Sequence, residues 1–187
     1  MPSFNALPCN GNAIRFPIAT FSKRLKAYKQ IGYELACGLQ IGKQTVNAIY
    51  DWDNYSTYYH KDLLGANNNI IISSPVISGP KVYELINLLK EKQMSGVQIT
   101  IVTWAPDSYR FGDAAYWMQL HEDMRQAGFY IKTVEESCER FAVIDQEVVW
   151  YGNINLLAKD KVDDSIMRVL SKEIASELME ITFGDNG

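Results

Sequence analysis

From Ala48 onward the chain alternates short β-branched runs with stretches of helical period, and that order constrains the fold more than any single residue does. Residues 54–66 read as a helix, Asn67-Asn68-Asn69 as a turn, and Ile70-Ile71-Ile72 as a strand that Ser73-Ser74-Pro75 ends. Pro80 opens a helix in which Val82, Leu85, Ile86 and Leu89 fall at i, i+3, i+4 and i+7, and Gly96 closes it. A strand over 97–104, a polar loop over 107–112, a helix over 113–127 stopped by Gly128, and a strand over 129–134 continue the pattern. Phe141–Ile144 and Val148–Tyr151, joined by Asp145-Gln146-Glu147, form a hairpin. Ile166–Leu170 is a strand, and Ser171 caps a last helix over 172–182. Such an order predicts α/β layering, with a mixed, largely parallel sheet flanked by helices.

The N-terminal part is different. Pro2, Pro8, Gly11 and Pro17 break any period over residues 1–20, and the weakly helical stretch from Phe21 to about Gln44 is interrupted by Gly32, Gly38 and Gly42. Residues 1–46 carry six Lys and Arg against one Glu, a net +5, whereas residues 47–187 carry 12 against 21, a net −9. The expectation is a basic, partly helical segment over 1–47 and a layered acidic domain over 48–187. Lys23, Arg24, Lys26, Lys29 and Lys43 either contact nucleic-acid phosphates, where clustered positive charge releases counterions, or line a solvated helix face.

With 187 residues, 47% of them hydrophobic, the chain is long enough to bury a sizeable core. No run of about 18 apolar residues occurs and no secretory signal opens the sequence, so a cytoplasmic protein that does not enter a membrane is expected. Three cysteines (Cys9, Cys37 and Cys138) without a CxxC pair, and two distant histidines, predict reduced thiols, no metal and no cofactor.

Residues 138–155, CERFAVIDQEVVWYGNIN, place Arg140, Asp145, Gly152 and Asn155 at the spacing of a strand-turn-strand phosphate motif. In these residues, in the strand ending ISSP at Ser73–Pro75 and in DDSIMRV at 163–169, the chain resembles phospholipase D-like domains, the HKD phosphodiesterase superfamily. That family's pattern is His-x-Lys-x4-Asp followed by Gly-Ser-x-Asn. Here it stands as Cys138-x-Arg140-x4-Asp145 and Gly152-Asn153-x-Asn155, within a resemblance covering residues 48–183. It is nearest to bacterial members found alone or fused to helicases and nucleases. The resemblance implies a phospholipase D-like layered fold and a metal-independent phosphodiesterase site. In that site histidine attacks phosphorus, a second histidine protonates the leaving oxygen, and lysine with asparagine neutralises the phosphate oxygens. A single motif further implies a two-fold homodimer that completes the site, nucleic acid as ligand, and a helicase or nuclease as partner protein.

On that pattern the catalytic positions are Cys138, Arg140, Asp145 and Asn155, the phosphate-binding positions Arg140, Asn153 and Asn155, and the carboxylate behind the first position Asp163 or Asp164. Cys138 departs from the motif. Its sulfur reaches roughly 2 Å less far than an imidazole nitrogen, and misplacement on the order of 1 Å already costs about a hundredfold in rate. A symmetric dimer loses both histidines at once, so binding is expected to outlast hydrolysis. The alternative is an active dimeric phosphodiesterase with Cys138 as nucleophile, its pKa lowered by Arg140. Arg140 keeps the charge of lysine and can grip phosphate bidentately.

Each residue also has a plainer explanation: Cys138 as a buried small hydrophobe, Arg140 and Asp145 as charges bounding a hairpin, Gly152, Asn153 and Asn155 as turn formers. His60-Lys61-Asp62 spells HKD in adjacent letters, but neighbours on a helix diverge by about 100°, and the triplet reads as a surface coincidence. His121, on the apolar side of its helix, reads as a packed, hydrogen-bonded imidazole.

Overall fold

Two strand-helix-strand units build the parallel part of one sheet, and a hairpin with a returning strand builds the antiparallel part. The computed structural model of the protein describes residues 34–35, 47–109, 112–135, 138–158 and 164–184. In chain order these form β1 (Glu34–Leu35), β2 (Ala48–Asp51), α1 (Tyr55–Gly65), β3 (Asn69–Ser73), α2 (Gly79–Met94) and β4 (Gln98–Trp104). There follow a single 3-10 turn (Pro106–Ser108), α3 (Ala114–Gln126), β5 (Tyr130–Val134), β6 (Phe141–Ile144), β7 (Val148–Gly152), β8 (Ser165–Leu170) and α4 (Lys172–Phe183). The strands lie in the order β1-β2-β8-β7-β6-β3-β4-β5.

The α/β class holds, and the sheet is mixed, but parallel pairing is confined to β3-β4-β5 and to β1 with β2. From β2 through β8, β7 and β6 to β3 every pairing is antiparallel. The physical reason is the linker: three residues between β6 and β7 allow only a hairpin, whereas α2 and α3 supply the crossovers that parallel neighbours need. Two strands went unanticipated. The stretch at Ala48–Asp51 pairs with β8, and Glu34–Leu35, within the segment read as weakly helical, is extended.

Alternation sorts the sheet's two faces. Ile70, Ile72, Ile99, Ile101, Ala142, Ile144, Trp150 and Ile166 pack with Leu63 of α1, Val82, Leu85 and Leu89 of α2, and Leu120 and Met124 of α3. Each such fully buried side chain stabilises the fold by roughly 2 kcal/mol. On the other face Ile71, Val102, Phe141, Val143, Val149 and Val169 are buried, as are Ala175 and Leu178 of α4, which packs on β7. Burial on both sides explains why β3 is an unbroken apolar run rather than an alternating one. Caps agree with the sequence: Asp113 accepts from the Ala115 amide at 2.9 Å and Ser171 from the Ile174 amide at 3.2 Å.

Of three polar positions, Asp62 and His121 depart from expectation and His60 follows it. Asp62 is no surface residue: it pairs with buried Arg168 of β8 (Nη2 to Oδ1 3.0 Å) and accepts from Trp150 Nε1 at 2.9 Å. His60 faces Glu84 instead, at 3.7 Å, so the literal HKD triplet diverges. His121 is packed, at 1% exposure, yet neither ring nitrogen has a hydrogen-bond partner among the described residues.

Asp145 occupies the β6–β7 turn with φ 52°, followed by Gln146 at φ 56°, and the Glu147 amide bonds back to the Ile144 carbonyl at 3.1 Å. Its carboxylate accepts from the amides of Asn67 (2.8 Å), Asn68 (2.8 Å) and Asn69 (3.0 Å), stapling the hairpin to the start of β3. Burial pushes this carboxyl up, but the three amides prevail and hold it below its ordinary pKa.

Candidate phosphate site

Strand direction decides which motif residues can meet. β3 and β4 end at Ser73 and Trp104, and β6, antiparallel to β3, begins at that same end. β7 returns there to finish at Gly152, and β8 starts there at Ser165. Residues 138–140, 152–155 and Asp164 therefore gather at the carboxyl ends of β3 and β4, where open α/β sheets form ligand crevices. Asp145 does not join them. It lies five residues from Arg140 along an extended strand, about 16 Å away, and its role is the staple just described rather than chemistry.

Arg140 and Asn155 meet directly, Arg140 Nε donating to Asn155 Oδ1 at 3.0 Å. One edge of the guanidinium is thereby fixed in plane, and its four Nη hydrogens are the donors suited to an anion. Gly152 is required by close packing: a Cβ there would lie 2.7 Å from Ile166 Cα and nearer still to the Ser165 carbonyl oxygen. The adjacent Asn153 amide bonds the Ser165 carbonyl at 3.0 Å while its side chain stays exposed. Only glycine lets β7 and β8 close so tightly just before the chain turns toward Asn155.

Cys138 is half-buried, with Sγ 3.4 Å from Ser73 Oγ and 3.9 Å from the Val102 carbonyl oxygen. The Ser73 hydroxyl also donates to the Glu139 carbonyl at 2.6 Å. Burial pushes the Cys138 thiol above its ordinary pKa, and the Arg140 guanidinium, which pulls the other way, does not cancel it. Arg140 does pull the thiol pKa down, as expected, but desolvation outweighs it and the net shift is upward.

Residues outside the motif line the same end. The Tyr109 hydroxyl sits 3.0 Å from Thr103 Oγ1, and burial, with a smaller push from Cys138 and against the Thr103 hydrogen bond, raises its pKa to about 12. Tyr151 donates to Glu139 Oε2 at 3.1 Å beside Cys138. Sequence reasoning missed Tyr109 and Tyr151 because their approach depends on strand pairing. The ISSP strand end was the one signal for Ser73.

Asp164 is half-buried just ahead of β8. Asp163, the basic positions Lys23, Arg24, Lys26, Lys29 and Lys43, and Cys9 and Cys37 lie outside the described residues. Among the described residues no three His, Cys, Asp or Glu side chains converge as a metal site, and no helix is long and apolar enough to cross a membrane.

Residues 59–182 match the family described as "Cardiolipin synthase, PLD-like domain". The chain belongs to this PLD-like family. Among solved structures the domain is similar to Nuc of Salmonella typhimurium, a phospholipase D family member, with a TM-score of 0.56 and 13% identity over 72% of this chain and 88% of that one. NucT of Helicobacter pylori gives 0.55 and 9% identity, covering 72% of this chain and 91% of its own. TrmBL2, an archaeal chromatin protein with a novel mode of DNA binding, gives 0.53 and 10% over 87% of this chain and 57% of that one. Curated protein sequences yield no match. At such identities the likeness fixes the PLD-like fold.

Proposed function

We propose that this PLD-like domain binds phosphodiesters of nucleic acid, with hydrolysis lost or strongly reduced because Cys138 stands where the motif needs histidine. The observation that carries the reading is the split at the sheet's end. Arg140 and Asn155 are joined at 3.0 Å in an arrangement suited to an anion, while burial pushes the thiol of Cys138, facing Ser73 and the Val102 carbonyl, above its ordinary pKa. A protonated thiol is a poor nucleophile, and with no imidazole at that position the leaving oxygen has no matched acid. The DNA binding of one structural neighbour, the archaeal chromatin protein TrmBL2, and the net +5 of residues 1–46 favour nucleic acid as ligand. One motif per chain favours a homodimer, and the absence of a membrane-length apolar run favours the cytoplasm.

The test is a binding titration with DNA at several salt concentrations, alongside a cleavage assay in chelator. Affinity falling steeply with salt, weakened by Arg140→Ala, without chelator-resistant cleavage, is the expected outcome. Robust cleavage by the unaltered chain, abolished in Cys138→Ser, rejects the reading in favour of an active enzyme using the thiol.

A further inference from the structure

Among the described residues two aromatic clusters stand out, one sealed in the core and one packed against its edge and partly exposed. Tyr50, Tyr55, Tyr59 and Trp150 are sealed inside, at 0–4% exposure. The other, formed by Trp104, Tyr109, Tyr116 and Trp117, stands at the end of β4. Tyr116 is 45% exposed and the other three are partly so. Tyr109 lies flat on Trp117 with ring centroids 4.3 Å apart and planes 16° from parallel. Trp104 meets Tyr109 edge-on at 6.0 Å, and Tyr116 meets Trp117 edge-on at 4.9 Å.

Backbone continuity ties this wall to the phosphate site. The Val102 carbonyl is 3.9 Å from Cys138 Sγ, and Thr103 holds the Tyr109 hydroxyl at 3.0 Å. Trp104 stands on the same face of β4 as Val102, two residues or about 7 Å further along. The partly exposed rings and the Arg140 guanidinium stand at the same end of the sheet, by β4 and β6 with β3 between them. Rings and a cation along one edge are what a single-stranded nucleic acid meets with alternating bases and phosphates.

We infer that Trp104 and Tyr109 form a stacking subsite for an unpaired nucleobase whose neighbouring phosphate is held by Arg140. The inference rests on the phosphodiester-binding reading above and adds to it a preference for single strands, since a duplex keeps its base faces covered. A quaternary ammonium headgroup fits less well. It needs ring faces turned into one box, whereas Tyr109 and Trp117 cover each other.

The experiment compares three fluorescent probes on the full chain: a short oligothymidylate, an abasic strand of equal phosphate count, and a duplex. The unaltered chain is expected to bind oligothymidylate at least about fivefold more tightly than the abasic strand. Trp104→Leu and Tyr109→Leu, with unchanged circular dichroism, should weaken oligothymidylate about 5- to 100-fold while leaving the other probes unaffected. Trp104→Phe should restore most of the loss, and Arg140→Ala should weaken all three probes. Equal affinity of the unaltered chain for the abasic strand and oligothymidylate overturns the inference while leaving the phosphodiester reading intact, and needs no variant. Displacement by phosphocholine but not by thymidine monophosphate overturns it in favour of a headgroup site. If no probe binds even at low salt, the phosphodiester reading fails and takes this inference with it.

Discussion

Replacing Asp145 separates the motif's architecture from its chemistry. The carboxylate accepts three amide hydrogen bonds, at 2.8, 2.8 and 3.0 Å, from Asn67, Asn68 and Asn69. A sheltered hydrogen bond to a charged group contributes about 1.5–3 kcal/mol, but solvent screening at this mostly exposed turn brings each nearer about 1 kcal/mol. Asp145 also sits at φ 52°, where alanine costs on the order of 1 kcal/mol more than an Asx residue. Asp145→Ala is therefore expected to cost about 4 kcal/mol, a fall in Tm of roughly 8–16 °C for a domain of this size. Asp145→Asn, which tolerates the left-handed backbone, should cost about half as much. Thermal melting by circular dichroism supplies the first readout, and DNA affinity measured well below Tm the second, where both variants should match the unaltered chain. A Tm within about 2 °C, or affinity lost without loss of stability, refutes the assignment of Asp145 as a staple.

Burial, with Arg125 adding, holds the His121 imidazole below its ordinary pKa, so the unfolded chain takes up a proton near pH 6.5 that the folded chain takes up only at lower pH. Stability should be full above about pH 6.5 and fall as the pH drops below it. Urea midpoints should show a shallower decline in His121→Leu, His60 accounting for part of the remainder. Gly152→Ala should push β7 from β8 and lower both Tm and oligonucleotide affinity; unchanged values for both would show that the strands give way freely. Asp62→Asn removes the carboxylate charge that pairs with buried Arg168 and should cost about 3–5 kcal/mol, read from chemical denaturation. A loss below about 1 kcal/mol, the size of an exposed pair, would contradict the burial argument.

The elements with a long period or explicit punctuation were legible. Pro80 and Gly96 bracket a helix found at Gly79–Met94, and Ser171 caps the helix expected of it. Ala48–Asp51 was not legible, because four residues without turn signals carry no period and take their structure from β8. The parallel bias came from extending the strand-helix alternation of β3-α2-β4-α3-β5 to the whole chain, although β6, β7 and β8 follow one another without a helix between them. At the site, Arg140 and Asn155, named together from the motif, stand in hydrogen-bond contact, whereas Asp145, set by the x4 spacing, lies at the other end of β6. The upward shift of the Cys138 thiol was illegible, since it depends on burial beside Ser73 and Val102, residues remote in sequence.

The gap between Arg140 and Asp145 is a ruler cut to the length of one strand. Its two marks touch opposite rims of the sheet, one meeting Asn155 and the other anchoring a corner of the scaffold. Lengthening or shortening β6 by a single residue would turn one mark to the wrong side, whatever reaction the domain performs. A pattern match over this interval therefore certifies the height of the sheet, and turnover has to be judged from the residue at position 138 alone.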